Sequence, residues 1–434
     1  MVQDNRGYRD RLVVLVISLL FFSPAFAASK YKVIYSFQGG TDGAYPISDL
    51  IADAEGNLYG TTSQGGTGCG GQGCGTVFQL VKTSKGWEEK IIYNFPNGTV
   101  AVPVVGLISD AIGNLYGIAG TAVFELSRNK HGGWSETVLH DFFFTDNFSA
   151  AGKLAFDTNG NLYGTSSVGG NYQGVCGGND DTGCGYVFQL VPQGNGTWQE
   201  SQIYEFASSP DGQSPSSGLT FDSVGNAYGT TKFGGAGVCL GYGSFTGCGT
   251  VYKLTLGSDG KWTETVLYNF TRGGGAAISP ASGVLVEGTN HLYSASLAGG
   301  NGLGTVFELN DSPTKGWEQT VLHMFAGKPD GGTLSDATIG KPAMDSHRRF
   351  FGTTPFGGNG QGVRSSGVLF ELISTQSGWK EMVLHRFANT GDGAQPAAGV
   401  LELSGNLYGT TVRGGSNNFG TVYEMNFSGD SDDK

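Results

Sequence analysis

The chain has 434 residues, with 25 basic against 37 acidic side chains and a formal net charge of −12. That balance argues against a nucleic-acid binder or a protein held on anionic membrane, both of which rest on basic patches, and it leaves cations and neutral glycans open. Glycine, at 76 residues, stands far above the usual ~7%, yet Leu, Val, Phe and Tyr recur at fixed offsets from it, so the composition predicts a packed fold with many tight turns.

In chain order, Arg6, Arg9 and Arg11 precede the apolar run LVVLVISLLFF (12–22), and Ala25-Phe26-Ala27 follows. A basic start, a short apolar stretch and a small-x-small site read as a secretory signal over residues 1–27. The run is short of the ~20 apolar residues that a spanning helix needs. The expectation is an exported protein, periplasmic or extracellular and monomeric. Its mature part, residues 28–434, is read as one domain with no contact to membrane or nucleic acid.

Next comes YKVIYSF (31–37), a lone strand, and then the phrase GNLYGTT (56–62), which returns at 405–411. Aligned on its aromatic, the phrase has seven copies, centred on Tyr59, Tyr116, Tyr163, Tyr228, Tyr293, Phe351 and Tyr408 and spaced 47 to 65 residues apart. Repeats of this length, each holding several short strands, point to a propeller rather than a helical solenoid. Each unit reads as four strands. A first strand such as GLIS (106–109) or GLTF (218–221) leads through an acid-started turn into NLYGTT. A Gly-rich loop then gives GTVFQL (75–80) or GTVFEL (304–309), and a turn ending in Trp opens a fourth strand such as WTETVLYNF (262–270). Trp87, Trp134, Trp198, Trp262, Trp317 and Trp379 each start a fourth strand and are read as packing residues.

The last repeat ends with GTVYEM (420–425), a third strand with no fourth after it, whereas YKVIYSF has the fourth-strand pattern with no three strands before it. The fold predicted is therefore all-β: a seven-bladed β-propeller of four-stranded blades, its ring closed by the N-terminal strand completing the last blade. Closure of this kind leaves no open sheet between the ends.

DAEGNLYGTT, GTVFEL, GWEQTVLHMF and DGAQPAAGVL together resemble the GloVer tandem repeat of choice-of-anchor bacterial proteins, over about residues 31–426. GIAG, YSAS and HRRFFGTT in the second, fifth and sixth units depart from its consensus. The resemblance implies a secreted or surface-displayed repeat protein and supplies no catalytic residues. The chain's NFSGDSDDK end carries no apolar anchoring tail.

Six cysteines fall in three local pairs, Cys69 with Cys74, Cys176 with Cys184, and Cys239 with Cys248, each between a second and a third strand. Even, locally paired cysteines in an exported chain predict disulfides. Two ligands per loop are too few for a closed zinc site, so neither a metal nor a cofactor is expected. Asp53, Asp110, Asp157, Asp222, Glu287, Asp345 and Glu402 precede the phrase in every unit, and acids in such turns accept backbone N–H bonds. A residue present in every blade is read as architectural. His140, His323 and His385 stand where other units have Tyr, and they read as aromatic substitutes.

Function is sought where the repeats disagree. In a propeller the second-to-third and fourth-to-first connections share one face. Here that face carries the cysteine loops and the segments GGTDGAYP, SSPDGQSP and NTGDGAQP. Its candidate binding residues are Asp42, Tyr45, Tyr172, Asp211, Lys232, Phe233, Tyr242, Phe245, Asp330, Phe356, Asp392 and Arg413. Loops on a rigid scaffold are where binding usually resides. The reading is a non-catalytic module for a glycan or an envelope protein, with a polysaccharide-acting hydrolase or lyase and a purely structural envelope protein as alternatives. No G-x-S-x-G, H-E-x-x-H, phosphate loop or EF-hand pattern is present.

Overall fold

The computed structural model describes residues 30–98, 100–142, 147–170, 176, 182–239, 247–332, 343–358, 366–396 and 398–426. Seven small antiparallel sheets are arranged as the blades of a propeller, and helix is limited, among the described residues, to the short 3-10 turns Gly40–Asp42 and Gly70–Gln72. No helix of the described residues is long and apolar enough to cross a membrane.

The first blade shows the plan. Its second strand, Leu58–Gln64, pairs with the third, Thr76–Thr83, which pairs with the fourth, Gly86–Asn94. The second strand is buried on both faces because neighbouring blades cover it, while fourth strands such as Trp262–Asn269 alternate between half-buried and exposed positions. Glycine in NLYGTT makes room for the next strand's aromatic: a Cβ on Gly60 would lie 2.6 Å from Phe78 Cζ and 2.9 Å from Leu50 Cδ2. The second Thr pairs across the sheet, as in Thr62 Oγ1 to Thr76 Oγ1 at 2.8 Å, repeated by Thr231–Thr250 and Thr411–Thr421 at 2.8 Å.

The acids before the phrase hold their turns as expected in five units. Asp53 accepts the backbone N–H of Glu55 and Asn57, the Asn57 side chain and the Tyr59 hydroxyl, and Asp110, Asp157 and Asp222 repeat the pattern. Asp345 does the same with His347 and Arg349. The other two units differ: Glu287 lies in its strand opposite His291 and takes the Tyr293 hydroxyl and the Arg348 guanidinium, and the last unit's turn is one residue shorter. Glu402 lies in the strand opposite Leu407 and reaches only the Gly405 N–H.

Blades meet through aromatics. The Phe that ends each fourth strand packs on the third-strand aromatic of the next blade. The pairs are Phe37–Phe78, Phe95–Phe124, Phe142–Phe188, Phe206–Tyr252, Phe270–Phe307, Phe325–Phe370 and Phe387–Tyr423, with ring centroids 4.9 to 5.6 Å apart. Each such pair is worth about 0.5–1.5 kcal/mol beyond its buried area. The tryptophans pack as expected, edge-on to the preceding blade's phrase aromatic, as in Tyr59–Trp134, Tyr163–Trp262 and Tyr408–Trp87.

Lys30–Ser36 pairs antiparallel with Thr421–Asn426, completing the seventh blade and closing the ring. A bulge interrupts this pairing between Val33 and Tyr35, as it does between Val138 and His140 and at the matching point of the other fourth strands. The N-terminal strand is thus a fourth strand in its irregularity as well as its position.

Candidate functional site at the propeller axis

The first strands are not continuous, contrary to the simple four-strand reading. In blade one, Ala44–Pro46 pairs with the end of Leu58–Gln64 and Ile51–Ala52 with its start, leaving residues 47–50 as an inward kink. Blades four and five break in the same way, between Gly212–Pro215 and Thr220–Phe221 and between Ala277–Pro280 and Leu285–Glu287. The first Thr of the phrase fixes these kinks. Thr165, Thr230, Thr353 and Thr410 donate to the kink carbonyls of Ser217, Ser282, Ala398 and Ser48 in the next blade, at 2.7 to 3.3 Å. Adjacent kinks approach so closely that a Cβ on Gly152 would overlap the Gly218 nitrogen.

Together the kinks of blades one to five and seven line an axial cavity of about 320 Å³. Most of its wall is Gly, Ser, Ala and Val. Two charged groups break that pattern. Lys153 Nζ lies 2.6 Å from Asp49 Oδ2, with side chains 33% and 19% exposed. The Lys153 stem crosses the second blade over Gly106, where a Cβ would sit 2.6 Å from Lys153 Cδ. Asp49 Oδ1 also accepts the Gly399 N–H, so the pair joins blades one, three and seven. The equivalent station holds glycine at 106, 218, 283 and 399. The available signal is a station that holds glycine in four units and a charged residue in the other three. Lys341 occupies the same register in the sequence and lies outside the described residues.

The described candidates named from the loops are each held in local contacts. Asp211, Asp330 and Asp392 each accept their loop's backbone N–H, from Ala207, Ala326 and Ala388 at 2.8 to 3.1 Å, and Asp42 does the same for Gln38. Each also meets the fourth-strand aromatic seven residues earlier: Tyr35 with Asp42, Tyr204 with Asp211, His323 with Asp330 and His385 with Asp392. At these two stations, then, His replaces Tyr in the same contact. Tyr45 lies under the Arg413 guanidinium, 5.6 Å from its ring centre, and Lys232 Nζ sits 5.4 Å over Phe233. Phe356 pairs with Gly332 in the sixth blade. These three groups belong to different blades. Tyr172, Tyr242 and Phe245 lie outside the described residues.

Carboxyls also meet between blades. Burial pushes Glu89, Glu264 and Glu381 up to about 8, helped by the facing Asp42, Asp211 and Asp330. His323, Asp330 and Glu381 bring three ligand-type atoms within 4.8 Å of one another. Since the same station holds Tyr35, Asp42 and Glu89 elsewhere, the repeat itself accounts for this grouping.

The three cysteine pairs are disulfide-bonded, with Cα separations of 5.3, 5.0 and 5.1 Å. The second cysteine of each is fully buried. Its carbonyl accepts a backbone N–H where the next blade begins, from Val102, Ser214 and Ser279 at 2.8 to 2.9 Å. The staples therefore hold the docking carbonyls in place; closing loops this short removes little chain entropy.

Ring, strand order and closure define a seven-bladed β-propeller whose axis, among the described residues, is lined mostly by small residues and carries one charged pair. The chain belongs to the Gloeobacter/Verrucomicrobia repeat family, whose model matches residues 20–174 and 237–432. No curated protein matches it. Among solved structures it is similar to a streptogramin B lyase, at 14% identity and a TM-score of 0.52, covering 94% of this chain and 100% of that one. Virginiamycin B lyase from Staphylococcus aureus is similar at 13% identity and a TM-score of 0.52, covering 92% and 100%. At such identities the likeness shows the fold alone.

Proposed function

We propose that this propeller is a non-catalytic binding module, which presents its axial cavity and loop-bearing face to a glycan or an envelope protein. The observation that carries this reading is the state of Asp49. Hydrolysis of a glycosidic bond commonly uses two carboxyls about 5–10 Å apart, one of them free to take or give a proton. Among the described residues of the cavity wall, Asp49 is the single carboxylate, and it is engaged by Lys153 and the Gly399 N–H. A fixed donor–acceptor pair in a small cavity suits recognition. Disulfides suit an oxidising compartment, which supports export and an extracytoplasmic ligand.

The test is a glycan array and an envelope-protein pull-down with residues 28–434, followed by mass spectrometry of whatever is retained. A ligand retained and recovered unchanged supports the reading. A cleaved or eliminated glycan overturns it in favour of a hydrolase or lyase, and silence in both assays overturns it in favour of a structural envelope role.

A further inference from the structure

We propose that the axial cavity takes a neutral saccharide end, with two adjacent hydroxyls of one sugar bridging Asp49 and Lys153. This rests on the binding-module reading and names the ligand class of its site. Three observations carry it.

The first is that the scaffold does not require the pair. Glycine fills the same station at 106, 218, 283 and 399, and threonine bonds hold the kinks at 218, 283 and 399 just as one holds the kink of Asp49. A partly exposed ion pair gains only about 0–1 kcal/mol, while ordering a lysine side chain costs up to ~2 kcal/mol. Stability alone is a poor reason to reach across a whole blade.

The second is charge. Among the described residues the carboxylate and ammonium cancel, so this pair by itself offers little net attraction to a phosphate, a carboxylate or a metal ion. It offers a strong acceptor beside a strong donor, 2.6 Å apart. An ammonium carries three N–H donors and a carboxylate about four acceptor sites, so each can serve the other and a ligand together. A hydroxyl both donates and accepts; two neighbouring hydroxyls on one ring therefore match this pair, one giving its proton to Asp49 and the other accepting from Lys153.

The third is size and lining. At about 320 Å³ the cavity lies at the small end of ligand pockets, which run from ~300 to 1,000 Å³, so it fits one sugar unit rather than a chain. Ile47, Val104 and Leu219 supply apolar wall for the C–H face of such a ring. The rest of a glycan would lie outside the cavity.

Titration calorimetry with residues 28–434 tests this, using methyl glycosides of glucose, galactose and mannose, with acetate and glycine as charged competitors. At least one glycoside is expected to bind saturably, and neither acetate nor glycine to displace it. Lys153→Met keeps the stem over Gly106 and removes the donors; with Asp49→Asn it should weaken binding roughly tenfold to a hundredfold, the loss expected for hydrogen bonds to a charged group. Ala151→Leu adds bulk to the cavity wall while leaving both charged side chains in the sequence and should abolish binding, which keeps the test open if the charge variants misfold. Glycoside binding at full strength in folded Lys153→Met and Ala151→Leu proteins overturns the axial site while leaving a binding module intact. Displacement by acetate or glycine, or a retained ligand without adjacent hydroxyls, overturns the saccharide class. No glycan or protein retained in the array and pull-down overturns the underlying reading itself.

Discussion

At the scale of single residues, GNLYGTT is a set of instructions for one strand. Its Asn and Tyr bond the preceding Asp, its Gly clears space for the next strand's aromatic, its first Thr fixes the neighbouring blade's kink, and its second pairs across the sheet. Gly60 carries the sharpest consequence, because a methyl there would meet Phe78 and Leu50 together. Gly60→Ala should cost about 1–3 kcal/mol, the usual range for overpacking, visible as a lower midpoint in urea with an unchanged slope. An unaltered midpoint would mean that the Phe78 ring yields freely. This phrase was readable from sequence because it recurs. Asp49 and Lys153 were visible only as departures from glycine at their station, and only the folded kink shows that this station faces the axis. Asp42, Asp211, Asp330 and Asp392 were visible as repeated loop acids, yet sequence could not show that their oxygens are taken by their own loops.

At the scale of elements, the fourth strands meet through carboxyls whose protonation links blade to blade. Glu89, Glu264 and Glu381 sit about 8 in the folded protein, raised first by burial and then by Asp42, Asp211 and Asp330; Arg386 partly offsets this at Glu381. Tyr35, Tyr204 and His323 face the same aspartates. In the unfolded chain a Glu titrates near ~4.3. Between those values the folded state holds protons that the unfolded state has lost. The stabilisation is therefore complete below the unfolded value and is lost as pH rises through 8. Asp53, Asp222 and Asp345 act oppositely. Burial works against their ionisation, but hydrogen bonds hold them below the usual range, so their contribution disappears only in acid. Thermal midpoints should therefore fall between about pH 5 and 9. The triple variant Glu89→Gln, Glu264→Gln, Glu381→Gln should flatten that slope, since an amide keeps a donor without titrating. A wild-type midpoint that is level or rising across the window would show that these groups are ionised in the folded protein.

At the scale of the whole molecule, the ring was legible because seven repeats and two incomplete ends leave one consistent assembly. The axis was not, because no repeat by itself says where the kinks converge. Closure gives the N-terminal strand a weight beyond its length. Tyr31 opposes Met425, Val33 opposes Tyr423, and Tyr35 opposes Val422; Phe37 then packs on Phe78 in the first blade. The strand joins the last blade to the first, and the interface it seals also holds Tyr408 against Trp87. Removing residues 30–37 would expose the Thr421–Asn426 edge and uncover Val422 and Tyr423, both fully buried in the closed ring. An unpaired apolar edge of this kind is a template for association. A protein beginning at residue 38 should melt less cooperatively than the closed ring and aggregate at concentrations where the closed ring does not. A synthetic peptide of residues 30–37 added in trans should restore the melt, and the same peptide with Val33→Lys, which opposes Tyr423, should not. Calorimetry beside light scattering reads both effects. A cooperative, monomeric melt without the strand would show that the other six interfaces hold the propeller shut unaided.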